Sequence, residues 1–212
     1  MPRAKIKAIA FDLGNVLVDF DHAIAARRIA PLSKMSAQEI FGLFFDSPLI
    51  GLFEEGKIAP EDFFERIKEM LGLKIDYPRF LPIWNEIFFI TEKNRLTYAL
   101  AAGLRNRFPL VMMSNINVLH IGYLRNKFDI FSVFNHLIFS CEVKVRKPDP
   151  RIFNEALRRL DSSAQELFYV DDRPDLVEGA RNLGIEAFVF KGVEELKNDL
   201  ISCGITSGKD HV

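Results

Sequence analysis

The chain has just two cysteines, Cys141 and Cys203, so no disulfide framework holds it together. Either one bridge joins them or both are free thiols, and the second reading suits a cytoplasmic protein. An excess of charge of one sign is also missing: 28 Lys and Arg face 29 Asp and Glu, a net charge of −1. That balance removes bulk electrostatics as a drive toward nucleic acid or an anionic membrane, and makes any anion binding a local matter. No apolar run approaches the roughly 18 residues of a membrane span. The first dozen residues join early charges to a short apolar run ending in Asp12, which does not read as a secretory signal. What the chain has in quantity is apolar side chain. Hydrophobic residues make up 49% of its 212 positions, with 20 phenylalanines, enough for a sizeable core and against disorder. That length suits one domain, or a core with a modest insertion.

Five short apolar runs read as buried strands: Ile6–Phe11, Leu110–Met113, Leu137–Phe139, Leu167–Val170 and Ala187–Phe190. They are apolar on both parities, as parallel strands covered on both faces are. Helical periods lie between them: Leu96, Ala99, Leu100, Gly103 and Leu104; then Ile152, Phe153, Ala156, Leu157 and Leu160; then Leu176, Val177, Ala180 and Leu183, stopped by Gly184. The alternation predicts an α/β fold with a doubly wound parallel sheet. From about Phe20 to Thr91 the rhythm breaks. Only helical periods are visible there, such as Phe63, Phe64, Ile67, Met70 and Leu71, with a capping box at Ser36 and Glu39 and a helix start at Pro60, Glu61 and Asp62. This stretch is either a long crossover or a helical insertion seated over the carboxyl end of the first strand, where open α/β sheets bind ligands. The insertion reading divides the chain into a core of residues 1–19 and 92–204, a helical unit of 20–91, and a short frayed tail of 205–212.

The chemistry-bearing residues follow the strands. Asp12, Leu13 and Gly14 come after the first, Ser114 and Asn115 after the second, Lys147 beyond the third, and Asp171, Asp172 and Asp175 after the fourth. Singly, each has an ordinary reading as a turn residue, a helix cap or a solvated loop lysine. Parallel strands bring them to one edge, and carboxylates meeting there repel unless a cation or a lysine offsets them. A hard divalent cation with oxygen ligands answers that need, and Mg²⁺ accepts substrate phosphate oxygens as well.

The segments FDLGNVL, SNIN, KPDPRIF and VDDRPD resemble, in order and spacing, the four motifs of the haloacid dehalogenase (HAD) superfamily of hydrolases. The resemblance covers roughly residues 5–19 and 92–200, and the intervening stretch is similar in size and place to that family's helical cap. The nearest branch is the one whose first motif reads Asp-Leu-Gly-Asn-Val, which includes sugar-phosphate phosphatases of the α-glucose-1-phosphatase type. The resemblance implies a Rossmann-like core and a Mg²⁺-dependent phosphomonoesterase acting on a small phosphorylated metabolite. It implies Asp12 as the nucleophile, Ser114 as the phosphate-binding hydroxyl with Asn115 beside it, and Lys147 as the neutralising cation. Backbone N–H groups of Leu13 and Gly14 would face the phosphoryl group. Asp12, the Gly14 carbonyl and Asp172 would hold the metal, with Asp171 supporting them or acting through water.

Two departures stand out. Most phosphatases of the superfamily carry an acid/base Asp two residues after the nucleophile, and this chain has Gly14. Either the leaving group is unusually acidic, or Asp21 or His22 lends a proton; His22 also reads as a plain surface residue. Leu176 stands where many members have Asp or Asn, and Asp175 either takes that role or only solvates its loop. Lys144 replaces a frequent Gly and could charge the rim. Phe44, Phe45, Phe53 and Trp84 either line a substrate pocket or form core, and Glu54 and Glu55 either accept sugar hydroxyls or lie on a solvated face. Two other functions stay open: metal-independent dehalogenation of a 2-haloacid, and a binding protein that has lost turnover. The oligomeric state, monomer or homodimer, is not legible.

Overall fold

The computed structural model describes residues 5–205, and of Phe45 and Asp46 the backbone only. In chain order the elements are β1 (Ala8–Phe11), β2 (Asp19–Phe20), α1 (His22–Ile29), α2 (Ala37–Asp46), α3 (Pro48–Glu54), α4 (Pro60–Leu71) and α5 (Tyr77–Asn85). There follow β3 (Phe88–Phe89), α6 (Glu92–Leu104), β4 (Leu110–Ser114), α7 (Val118–Lys127), β5 (His136–Phe139) and α8 (Ser140–Val143). The chain then runs through α9 (Pro150–Leu160), β6 (Leu167–Asp171), α10 (Pro174–Arg181), β7 (Glu186–Val189) and α11 (Val193–Ser202).

Five strands form one parallel sheet in the order β5-β4-β1-β6-β7. Alternate residues of β1, β4 and β6 feed two separate apolar layers. Ile9, Phe11, Met112 and Phe168 pack with α6, α7 and α11, whereas Ala8, Ala10, Val111 and Tyr169 pack with α9 and α10. Burial on both faces explains why these strands read as unbroken apolar runs. The sheet grows from β1 toward β5, then jumps to the other side for β6 and β7. That reversal opens a crevice at the carboxyl ends of β1 and β6.

Helices α1 to α5 surround a third apolar cluster containing Ile29, Phe44, Phe53, Phe63, Phe64, Phe80 and Trp84. The capping box at Ser36 is formed, since Ser36 N–H donates to Glu39 Oε2 at 2.8 Å while Glu39 N–H donates to Ser36 Oγ at 3.3 Å. Phe53 stacks on Phe63 at 4.0 Å and Phe44 meets Trp84 edge-on at 5.2 Å. Phe53 and Trp84 are therefore core side chains, and Phe44 is core that also touches the cavity described below. Trp84 reaches beyond its own cluster: its ring stacks on His120 of α7 at 5.1 Å, and its carbonyl lies 3.2 Å from His120 Nε2.

Two expectations are corrected, and the inner face of α6 is a further finding. The stretch 20–91 does contain strand: β2 and β3 pair antiparallel, Asp19 with Phe89 and Phe20 with Phe88, at the two roots of the helical segment. Two-residue strands are too short to show a period of two. Ile205, placed at the head of the tail, is buried against the core; residues 206–212 lie outside the described part. Leu96 is 49% exposed, because α6 turns Asn94, Thr97, Ala101 and Leu104 inward instead.

Trp84→Ala removes a large side chain that ties the helical segment to α7. We expect a loss of about 3–5 kcal/mol in urea unfolding. A loss under about 1 kcal/mol would show that Trp84 does not anchor the two together.

Candidate active site

Asp12 leaves the end of β1 with its N–H donated to the Val170 carbonyl at 2.9 Å, which holds it level with the end of β6. The chain then turns back on itself. Asn15 N–H donates to Val18 O at 2.7 Å and Val18 N–H to Leu13 O at 3.1 Å, closing a short bridge between Gly14 and Val18. That bridge uses groups of Leu13, Asn15 and Val18 and leaves Gly14's own N–H and C=O outside it. Asn15 takes a left-handed φ of 55° at the turn, a conformation Asn tolerates. Helix α6 fastens this loop with polar groups: Lys93 Nζ donates to Asn15 O (2.8 Å), and Asn94 Nδ2 donates to Val16 O (3.3 Å) and Asp19 Oδ1 (3.0 Å). Here lies the reason for the inward-facing Asn94. An apolar residue there could not satisfy the loop's buried carbonyl.

Lys147 is the hub. Its ammonium donates to Asp12 Oδ1 at 2.6 Å, to Asp171 Oδ2 at 2.6 Å and to the Met113 carbonyl at 3.0 Å, with its side chain 1% exposed. All three donors of the ammonium are spent. Asp171 is engaged as well, since Oδ2 also accepts from the Tyr169 hydroxyl and Oδ1 accepts from Arg173 N–H at 2.9 Å. Asp172 accepts from Asn15 Nδ2 at 2.8 Å on Oδ2. One oxygen from each of Asp12, Asp171 and Asp172 lies within 4.8 Å of the other two. Burial pushes Asp12 up to about 7, with Lys147 opposing the shift and Asp171 adding to it. Burial likewise raises Asp172, against its Asn15 bond. Asp171 goes the other way: burial raises it, yet Lys147, Tyr169 and the Arg173 N–H together hold it below the usual carboxylate range. Burial would lower Lys147, and Asp12 and Asp171 outweigh that and raise it. One lysine thus faces three carboxylates, a set short of positive charge and built wholly of oxygen donors, which fits a hard divalent cation.

These groups line a cavity of about 360 Å³ between the strand ends and α1 to α3, with Ser114, Asn115, His22 and Glu54 on its wall. Asn115 also holds the lysine segment. Its Nδ2 donates to Lys147 O at 2.9 Å and its Oδ1 accepts from Lys147 N–H at 2.7 Å. The amide thus brackets the Lys147 peptide with its oxygen and one of its two N–H donors. Asp175 forms a two-pronged pair with Arg173 at 3.1 and 2.6 Å and does not join the carboxylate group. Leu176, buried, faces the cavity in its stead. Asp21 caps α1 by accepting from Ala23 N–H at 2.8 Å. Glu55 pairs with Lys57 at 2.7 Å. Lys144 has φ 63°, which accounts for glycine being at home there, and its ammonium donates to the Gly56 carbonyl at 2.9 Å, joining α3's end to the segment before Lys147.

A model of the haloacid dehalogenase-like hydrolase family matches residues 6–184, and the chain belongs to that family. It is 24% identical over 189 residues to D-ribitol-5-phosphate phosphatase of Bacteroides thetaiotaomicron, covering 86% of this chain and 91% of the relative. It is also 24% identical over 197 residues to drimenol cyclase drtB of Aspergillus calidoustus, of which it spans 36% and which covers 92% of this chain. Among solved structures, a HAD family enzyme of Bacteroides thetaiotaomicron in complex with magnesium and inorganic phosphate superposes with a TM-score of 0.77 at 26% identity. That match covers 88% of this chain and 94% of the other.

Sequence reasoning missed Lys93, Asn94, Tyr169 and Arg173. Tyr169 is two residues before Asp171 on one strand face, a spacing that could have flagged it, and Arg173 meets Asp171 from two residues after it; Lys93 and Asn94 act across 78 residues with no local signal. Asn115→Ala frees the Lys147 backbone, and we expect kcat to fall at least about tenfold with KM little changed, in line with 1–3 kcal/mol for an orphaned buried group. A rise in KM alone would return Asn115 to phosphate binding.

Proposed function

We propose that this hydrolase is a phosphomonoesterase that acts on a small phosphorylated metabolite, a sugar phosphate above all, through an aspartyl-phosphate on Asp12. One observation carries the reading: Lys147 is held 2.6 Å from both Asp12 and Asp171 in a buried site. A carboxylate paired in that way is kept oriented and partly neutralised for attack on phosphorus. The Asp12 oxygen not facing Lys147 attacks in line, the ester P–O bond breaks, and water then cleaves the acyl phosphate. Ser114 Oγ and the N–H groups of Leu13 and Gly14 bind the phosphoryl oxygens, which the open Gly14 peptide favours. Asn115 and Asp171 keep Lys147 in place. Asp12, Asp172 and the Gly14 carbonyl would hold Mg²⁺, with Asp171 acting through water. Bound there, Mg²⁺ would offset charge on the nucleophile and the phosphoryl group. Helices α1 to α5 serve as a cap that shields the site and meets the leaving group. Positioning and electrostatics supply most of the catalysis in phosphoryl transfer, and these residues provide both.

The same three carboxylates weigh against dehalogenation of a 2-haloacid without metal, because one lysine leaves them undercompensated. A panel of sugar and alditol phosphates assayed with Mg²⁺ tests the proposal. Phosphate release should be lost in Asp12→Asn and in EDTA. Chloride release from a 2-chloroacid in EDTA, with no phosphatase activity, would overturn it.

Proton and metal compete for the same oxygens. Since the folded pKa of Asp12 is raised from 3.8 to about 7, its contribution to stability without metal is fully present below 3.8 and is lost as pH rises through about 7. Added Mg²⁺ should therefore raise the melting temperature more near pH 8 than near pH 5. An equal shift at both would place the ion away from Asp12.

A further inference from the structure

Hydrolysis of an ester through Asp12 moves two protons, one onto the leaving oxygen and one off the attacking water. Gly14 has no side chain to move them, and its neighbour crowds the place of one: a Cβ on Gly14 would lie 2.7 Å from Phe20 Cε1, and the ring would have to shift. The Phe20 ring thus fills the space beside Asp12 where a side chain from position 14 would project. Among the titratable groups on the cavity wall, Lys147 and the three aspartates are already committed to one another. Glu54 lends an oxygen to Arg146 Nη1 at 3.0 Å. His120 has both ring nitrogens taken, by the Asn117 amide at 3.0 Å and the Trp84 carbonyl at 3.2 Å.

His22 is different. Its ring sits edge-on to Phe20 at 5.1 Å, and among the described residues none hydrogen-bonds to either ring nitrogen. It lines the main cavity and a smaller recess of about 50 Å³ that shares Gly14, Phe20, Glu54, Ser114 and Asn115 with it. That recess has room for a water, and its wall offers the polar partners a water needs.

Resting on the phosphatase reading above, we propose that His22 is the catalytic acid and base that position 14 does not supply. In the first half-reaction an Asp12 oxygen bonds to phosphorus and the ester P–O bond breaks. Its electron pair leaves on the alkoxide, which takes a proton from the His22 imidazolium and departs as the alcohol. In the second, water bonds to phosphorus and the bond to Asp12 breaks, its pair returning to the carboxylate. The water's proton passes to the neutral imidazole, so the ring ends each turnover as it began. The groups facing His22 are Asp21 at the head of its own helix, His120 from α7 and Glu54 from α3. Burial lowers its pKa below the ordinary 6.5, against Asp21, which favours the neutral ring that water requires. A bound phosphoryl dianion favours the protonated ring that the first step requires.

The test compares His22→Gln, His22→Ala and Glu54→Gln with wild type, on aryl and alkyl phosphates of graded leaving-group pKa. In His22→Gln, kcat should fall about 10²- to 10⁴-fold, most for the poorest leaving groups. The alkaline limb of the kcat–pH profile, where the protonated ring is lost, should vanish, and added imidazole should restore turnover to His22→Ala. Glu54→Gln should keep that limb. Folded His22 variants with kcat within about threefold of wild type would overturn the inference, as would loss of the limb in Glu54→Gln instead. Should neither His22 variant fold, ¹⁵N NMR of the wild-type ring decides. Binding of inorganic phosphate should raise the His22 pKa, and an unmoved titration would overturn the proposal. Asp12→Asn separates the two levels: if it stays active the phosphatase reading fails, whereas a dead Asp12→Asn beside a fully active His22→Gln sinks only the role of His22.

Discussion

Lys147 lies between two carboxylates where almost no water reaches, and the rest of the site is arranged around that fact. An ammonium with its side chain 1% exposed is tolerated only because Asp12, Asp171 and the Met113 carbonyl take all three of its donors. The reverse also holds, for without the lysine two carboxylates would meet unshielded at the end of adjacent strands. Each strand end contributes to this balance. β1 brings Asp12, β4 the Met113 carbonyl, β6 Asp171, and the loop beyond β5 the lysine itself. Asn115 then clamps the lysine's backbone from the end of β4. A parallel sheet that reverses its order beside β1 is what makes these four segments neighbours.

Around this centre the protein spends polar groups in places that an apolar core would fill. Asn94 and Lys93 on α6 hold the loop after Asp12, and Tyr169 within β6 holds Asp171. The helical segment reaches the same centre from above. Ser140 Oγ donates to the Glu54 carbonyl at 2.6 Å, and Arg146, one residue before Lys147, pairs with the Glu54 carboxylate. Glycine at 56 is required by this contact, since its φ is 60° and a Cβ would run into the Cys141 carbonyl. The element that covers the cavity is therefore bonded to the very segment that carries the lysine.

Much of this was legible in the chain. Continuous apolar runs marked all five parallel strands within two residues of where they lie, because burial on both faces leaves an unmistakable pattern. The order of motifs assigned Asp12, Lys147 and the Asp171–Asp172 pair to one edge, where the structure puts them. What stayed hidden had physical reasons. The β2–β3 ribbon is too short for periodicity to reveal. The apolar spacing of α6 marks a helix without marking its inner face, which carries Asn94 for the sake of a loop 78 residues away. Asn115 sits at a binding edge yet turns to backbone, a choice decided by the neighbouring segment and not by its own neighbours in sequence. Glu54 read either as a partner for sugar hydroxyls or as part of a solvated face; the fold closes α3 over the cavity and leaves it on the wall.

The central claim is that Asp12, poised by Lys147 and flanked by Asp172, is the group that accepts phosphorus. Crystals soaked with Mg²⁺ and beryllofluoride, a mimic of the phosphoryl group, test it most directly. The account predicts beryllium bonded to a carboxylate oxygen of Asp12, Lys147 Nζ and Ser114 Oγ on its fluorines, and the cation between Asp12 and Asp172. An unmodified Asp12 with the anion or the cation bound elsewhere would contradict it.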